Sequence, residues 1–297
     1  MQDRKIQRIE RRIEGFTVQS GLPRVLGHPI EDSYQIDRNR GIIAVADGVT
    51  RDVSEYSPDK SNFLERLYFL YKYQRPSHAT NVANLFTETF VRTLRGYQSV
   101  DEESIKQGYS EANKAIRDYN ERAGLGRDFL LNDLAGCVAS TAVLYDDGVW
   151  LGHICDSGAA IIDRTGKVVS KTVNDGALEI LKKLHDPEYL KRPDERDPST
   201  RTWLRKNFRN NPNARFSHGV LNGNPNALEY VNVSFHPLGK GDTVLVYTDG
   251  IEERMFYRLG VLRPEFASAI KEKNLKMLKD LAIRQINFEG TLVHLLD

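Results

Sequence analysis

Cysteine is scarce. Only Cys137 and Cys155 occur in 297 residues, too few and too far apart for a disulfide framework or a cysteine-type zinc site. An excess of one charge is also missing. The 42 Lys and Arg stand against 41 Asp and Glu, a net charge of +1, so no basic surplus points to nucleic acid and no acidic tail to disorder. No stretch approaches the ~20 apolar residues of a membrane helix. The N-terminal MQDRKIQRIERRIEG lacks the apolar centre of a signal peptide. There is no repeat and no low-complexity segment. These absences lead us to expect a soluble cytoplasmic protein with reduced thiols, partnered by neither nucleic acid nor membrane. What is present, 40% hydrophobic and 9% aromatic residues, suits an ordinary globular core in one large domain or two smaller ones.

Strand patterns come first. GFTVQS (15–20) alternates, and YQIDRNRGIIAVADG (34–48) reads as two strands about a polar turn at Asp37–Arg40. Apolar residues then recur at helical spacing over 61–73, over 82–94, and over 101–122, where Asp101 supplies the N-cap. STAVLYDDGVWLGHICDSG (140–158) and AAIIDRTGKVVSKTV (159–173) read as hairpins. Residues 174–230, rich in Pro, Asn and Arg, read as an insertion or flap over the surface with a short helix near 176–185. Within it Arg205, Lys206 and Arg209 form a basic cluster, expected as a solvated face or a place for a phosphoprotein to dock. Strands YVNVSF (230–235) and TVLVYTD (243–249), a helical tail over about 263–287 and a last strand TLVHLL (291–296) complete an α+β pattern with antiparallel sheets.

Acidic residues recur where strands end. Glu31-Asp32 precedes one strand, Asp47-Gly48 closes another, Asp156 follows WLGHIC and Asp249-Gly250 follows TVLVYT. Each alone reads as a turn, since Asp-Gly is a favoured hairpin dipeptide. Together they raise another possibility. Ionised carboxylates converging at buried strand ends repel one another, and divalent cations relieve that repulsion. An all-oxygen donor set suits Mg²⁺ or Mn²⁺ and not Zn²⁺. A glycine after the aspartate lets its carbonyl approach a metal closely. His153 is expected in the core, and His185, His218 and His236 lack ligand-like spacing.

The ordered set EDSYQID…GIIAVADGV, GCVASTAVLYDDGVWLGHICDSGAAIID and PLGKGDTVLVYTDGIEE…TLVHLL resembles the motifs of metal-dependent serine/threonine phosphatases of the 2C type, across about residues 15–296. That resemblance implies a single 2C-type domain over 1–297, with the insertion at about 174–230. It implies a four-layer α-β-β-α sandwich of two antiparallel sheets with flanking helices. It further implies two Mn²⁺ or Mg²⁺ ions, with a third possible. By resemblance Asp47 bridges the two ions, Gly48 ligates through its carbonyl and Asp249 binds one of them. Glu31 and Asp32 act through ordered waters, and Asp156 joins Asp249 at the third ion. A water made acidic by two cations then attacks the phosphorus of phosphoserine or phosphothreonine in a protein substrate, with no covalent enzyme intermediate.

Three positions depart from the family pattern. The last metal aspartate, three residues before the Thr of the closing strand, is replaced by Phe288, with Glu289 beside it as a possible substitute ligand. The phosphate-binding arginine four residues before Glu31 is replaced by Gly27, leaving Arg24, and His28 nearer, as alternatives. Thr50-Arg51 stands where glycines are usual, so Arg51 is a second candidate for holding phosphate. The expected function is metal-dependent hydrolysis of phosphoproteins. The alternative is an inactive relative that binds a phosphoprotein or kinase partner. An aspartate-nucleophile hydrolase would need Asp-x-Asp at a strand end, and a Ca²⁺ loop would need alternating oxygen ligands over 12 residues. Neither pattern occurs.

Overall fold

The apolar run IIAVA has no polar face because the strand it forms is covered on both sides: Ile42, Ala44 and Ala46 meet helices, while Ile43 and Val45 meet a second sheet. A computed structural model of the chain describes residues 12–19, 28–49, 75–126, 133–176, 198–214, 216–257, 260–285 and 289–296. Its strands are β1 (Arg12–Gln19), β2 (Asp32–Asp37), β3 (Ile42–Val49), β4 (Gly136–Tyr145), β5 (Gly148–Ile154), β6 (Gly158–Ile162), β7 (Val168–Lys171), β8 (Asn232–Pro237), β9 (Thr243–Tyr247) and β10 (Glu289–Leu296). Its helices are α1 (His78–Arg95), α2 (Glu102–Arg122), α3 (Pro198–Asn207), α4 (Asp249–Met255), α5 (Pro264–Lys271) and α6 (Leu275–Gln285).

The strands form two five-stranded antiparallel sheets, ordered β1-β10-β9-β6-β7 and β2-β3-β4-β5-β8. Three apolar layers hold them. The inner layer, from both sheets, contains Ile43, Val45, Leu144, Leu151, Ile161, Val244, Val246, Val293 and Leu295. One outer layer joins β3 and β4 to α1 and α2 through Phe86, Phe90, Leu94, Ile105, Tyr109 and Ile116. The other joins β9 and β10 to α4, α5 and α6 through Leu245, Tyr247, Leu292, Phe266, Ile270 and Leu278. The result is the expected α-β-β-α sandwich. α1 starts at Ser77, whose hydroxyl accepts the Thr80 N–H, and α2 starts at Asp101, whose carboxylate accepts the Ser104 N–H.

Two expectations change. The helical tail is two helices, interrupted at Lys273, which takes a φ of 53°. Residues 203–214 and 216–230, described within the supposed flap over 174–230, are not a loose cover. Val220, Leu221 and Ala227 are buried, and Leu221 exchanges backbone hydrogen bonds with Cys137 of β4. Asparagine explains the misreading, because its amide replaces missing backbone partners. Asn210 Oδ1 accepts the Val220 N–H and its amide donates to the Val220 carbonyl, both at 2.8 Å, while Asn113 and Asn120 anchor the same segment to α2. Arg205 is likewise buried and pairs with Asp133 at 3.3 Å, so the basic cluster is not simply a solvated face. The helix expected over 61–73, and all of the one expected near 176–185 beyond residue 176, lie outside the described residues.

Candidate metal centre

Strand alternation puts the acidic residues on the face between the sheets. Asp47 continues the inward series Ile43, Val45; Glu289 and Thr291 continue Val293, Leu295 backwards; Thr248 follows Val244, Val246. Asp32 is the direct cross-strand partner of Asp47. At this end of the sandwich the apolar filling gives way to carboxylates. Oxygens of Asp32, Asp47 and Glu289 all lie within 4.8 Å of one another. Asp249, the first residue of α4, is close enough to repel Asp32, Asp47, Asp156 and Glu289, and Asp156, in the turn after β5, in turn repels Asp47.

Neither Asp-Gly pair is a hairpin turn. Gly48 lies within β3, paired with Cys137, and Gly250 lies in the first turn of α4. Both glycines permit close backbone approach. A Cβ at Gly48 would sit 2.6 Å from the Ala79 carbonyl oxygen and 2.8 Å from that of Glu31; a Cβ at Gly250 would sit 2.0 Å from the Glu289 carbonyl oxygen.

Hydrogen bonds fix the carboxylates further. The Glu31 N–H donates to both Glu289 oxygens at 3.1 Å, and the Glu31 carbonyl accepts the Gly48 N–H at 3.1 Å. Ser77, capping α1, donates its hydroxyl to Glu31 Oε1 at 2.6 Å. Thr248 donates to Asp32 Oδ2 at 2.8 Å. Sequence reasoning passed over Ser77, Thr248 and Thr291. The detectable signal was a threonine at 291 on the inward parity shared with Val293 and Leu295.

Burial, then repulsion between neighbours, raises every acid in the group whose shift is resolved. Asp32 rises to about 7, with Asp249 the main repelling charge and the Thr248 hydroxyl pulling the other way. Asp156 rises to about 7 and Glu289 to about 9, while Asp47 lies well above its ordinary value. Among the described residues no Lys or Arg pairs with Asp32, Asp47, Asp156, Asp249 or Glu289. The donor set is all oxygen and no basic side chain among the described residues compensates its negative charge, which fits hard divalent cations.

Of the residues expected to form a site, Glu31, Asp32, Asp47, Gly48, Asp156, Asp249 and Glu289 gather at this end. Arg24, Arg51 and Phe288 lie outside the described residues. His28 is buried, its Nδ1 2.8 Å from the Pro29 carbonyl oxygen. His153 is buried, with Nε2 3.2 Å from the Val173 carbonyl oxygen.

Two stacked antiparallel sheets with helices on both outer faces, and a carboxylate cluster at one end, define the class of fold. The sequence pattern of the family described as protein phosphatase 2C matches residues 24–280, and the chain belongs to that family. Solved structures share the fold. The catalytic domain of the serine/threonine protein phosphatase PstP, in complex with two manganese ions, has a TM-score of 0.59 at 16% identity, covering 97% of this chain and 99% of its own. PppA, described as a key regulatory component of T6SS in Pseudomonas aeruginosa, has a TM-score of 0.58 at 13% identity, covering 96% and 97%. The phosphatase MsPP from Mycobacterium smegmatis, in complex with cacodylate, gives 0.55 at 13%, again covering 96% and 97%. No curated protein sequence matches significantly. No described helix is long and apolar enough to cross a membrane.

Proposed function

We propose that the chain hydrolyses phosphoserine and phosphothreonine in protein substrates, using Mn²⁺ or Mg²⁺ held at the acidic centre. The observation that carries this reading is the convergence of a buried Asp32 and half-buried Asp47 and Glu289 on one point with no basic partner among the described residues. Asp47 with the Gly48 carbonyl, Asp249 and Glu289 would hold two ions. Glu31 and Asp32 would act through waters, and Asp156 with Asp249 would serve a third ion. Divalent cations there supply a Lewis acid for phosphoryl oxygens and lower the pKa of a water that can attack phosphorus.

The protein's own part is to keep acceptors aimed. The Glu31 amide steadies Glu289, the Ser77 hydroxyl steadies Glu31, and the Thr248 hydroxyl steadies Asp32. Arg24 and Arg51 are our candidates for holding the phosphate. Membership of the family supports the substrate class, and the manganese in PstP supports the choice of metal.

A second reading is a partner-binding protein without turnover, favoured by Phe288 at the position where an aspartate is expected. Hydrolysis of p-nitrophenyl phosphate, with Mn²⁺ and with EDTA, separates the two. The enzyme reading expects Mn²⁺-dependent turnover that Asp47→Asn abolishes. Folded protein that binds Mn²⁺ without turnover would establish the second reading instead.

A further inference from the structure

We propose that Thr248 is a positioning residue that orients Asp32 for cation binding, an inference that rests on the metal-centre reading above. Thr248 follows the last residue of β9 and occupies the N-cap of α4, where a threonine hydroxyl ordinarily accepts an N–H from the second or third helical residue. Here it makes no such bond. Its oxygen instead accepts the N–H of Thr291 at 2.9 Å, and its proton goes to Asp32 Oδ2 at 2.8 Å. An amide N–H can only donate to that oxygen, and once Asp32 is ionised its carboxylate can only accept from it.

The hydroxyl is fully buried, so its orientation is set by protein and not by solvent. Thr248 is itself pinned, because its N–H donates to the Thr291 carbonyl at 3.1 Å and Thr291 shares a 2.7 Å hydroxyl contact with Thr17. Asp32 belongs to one sheet, while Thr248, Thr291 and Thr17 belong to strands or strand ends of the other. One hydroxyl therefore ties the two sheets together at the acidic centre. It occupies one oxygen of Asp32, a carboxylate that lies within 4.8 Å of carboxylate oxygens of Asp47 and Glu289. A threonine serving the fold alone would cap its own helix; this one is diverted to a carboxylate.

The test compares wild type, Thr248→Val and Thr248→Ser after removal of metal with EDTA. Mn²⁺ binding is followed by the electron paramagnetic resonance signal of the free ion, and p-nitrophenyl phosphate kinetics are followed in parallel. Mutating a residue that orients the outer surroundings of a metal typically costs about 10- to 100-fold in affinity, so Thr248→Val, which frees the carboxylate acting through water, should weaken Mn²⁺ binding by that factor and Thr248→Ser by less than about threefold. The KM for the substrate at saturating Mn²⁺ should stay unchanged. Folded Thr248→Val that binds Mn²⁺ as wild type does would overturn the proposal and leave the metal centre standing. Wild type that fails to bind Mn²⁺ would remove the metal-centre reading itself. If Thr248→Val does not fold, Thr248→Cys takes its place: weakened binding relative to Thr248→Ser supports the role, and equal binding overturns it.

Discussion

Asp32 and Asp47 face each other directly across β2 and β3, on the side of the strands that looks into the sandwich. Like charges in directly opposed positions destabilise a sheet, and burial deepens the cost. The metal-free protein therefore carries a repulsion that cations bound at the proposed centre would remove. Asp47→Asn should abolish Mn²⁺-dependent turnover yet raise the melting temperature in EDTA. We expect a gain of about 1–2 kcal/mol, roughly 2–5 °C, in a calorimetric scan. A lower melting temperature in EDTA would show that Asp47 is stabilised by something other than a cation.

The same repulsion sets a pH dependence. Asp32 and Asp156 are raised to about 7 and Glu289 to about 9, above their unfolded values. Between the unfolded and folded values the native state binds more protons than the unfolded chain, so these groups lower stability as pH rises. Below the ordinary carboxylate range they contribute nothing. Thermal scans in EDTA should therefore show the metal-free protein losing stability from pH 6 to pH 9, with saturating Mn²⁺ flattening the decline.

Gly250 and Glu289 give a steric prediction. An alanine Cβ at position 250 would meet the Glu289 carbonyl oxygen at 2.0 Å, so α4 and the start of β10 must separate. Overpacking of this kind costs about 1–3 kcal/mol. Because the displaced residue carries a carboxylate of the centre, Gly250→Ala should weaken Mn²⁺ binding as well as lower the melting temperature. A Mn²⁺ titration of the folded variant checks it.

Glu289→Gln keeps the shape of the side chain and removes its charge. If Glu289 takes the place left by Phe288, half-saturation by Mn²⁺ should rise about tenfold or more, in the range seen when a metal's carboxylate surroundings are disturbed. An unchanged half-saturation would confine Glu289 to its hydrogen bonds with the Glu31 amide.

The layered fold was readable because period-two and helical spacings are local. IIAVA, TVLVY and the Asp101 cap each state their element without reference to the rest of the chain. The ordered acidic residues were readable for the same reason. What escaped was long-range. Asp47-Gly48 and Asp249-Gly250 look alike in sequence, yet one continues a strand and the other opens a helix. Only the packing of Ala79 and Glu289 against them explains the glycines. The hydroxyls of Ser77 and Thr248 reach carboxylates 46 and 216 residues away, distances no local pattern encodes. The asparagines at 210, 222 and 224 carry loop composition while fastening a buried segment, because their amides stand in for backbone partners.

The most direct measurement is phosphate release from a phosphothreonine peptide as Mn²⁺ is titrated into EDTA-treated protein, with wild type beside Asp249→Asn. The account predicts no release without metal, saturable release by wild type as Mn²⁺ is added, and loss of that release in Asp249→Asn although the variant remains folded. Release that persists in EDTA, or that Asp249→Asn leaves intact, would contradict it.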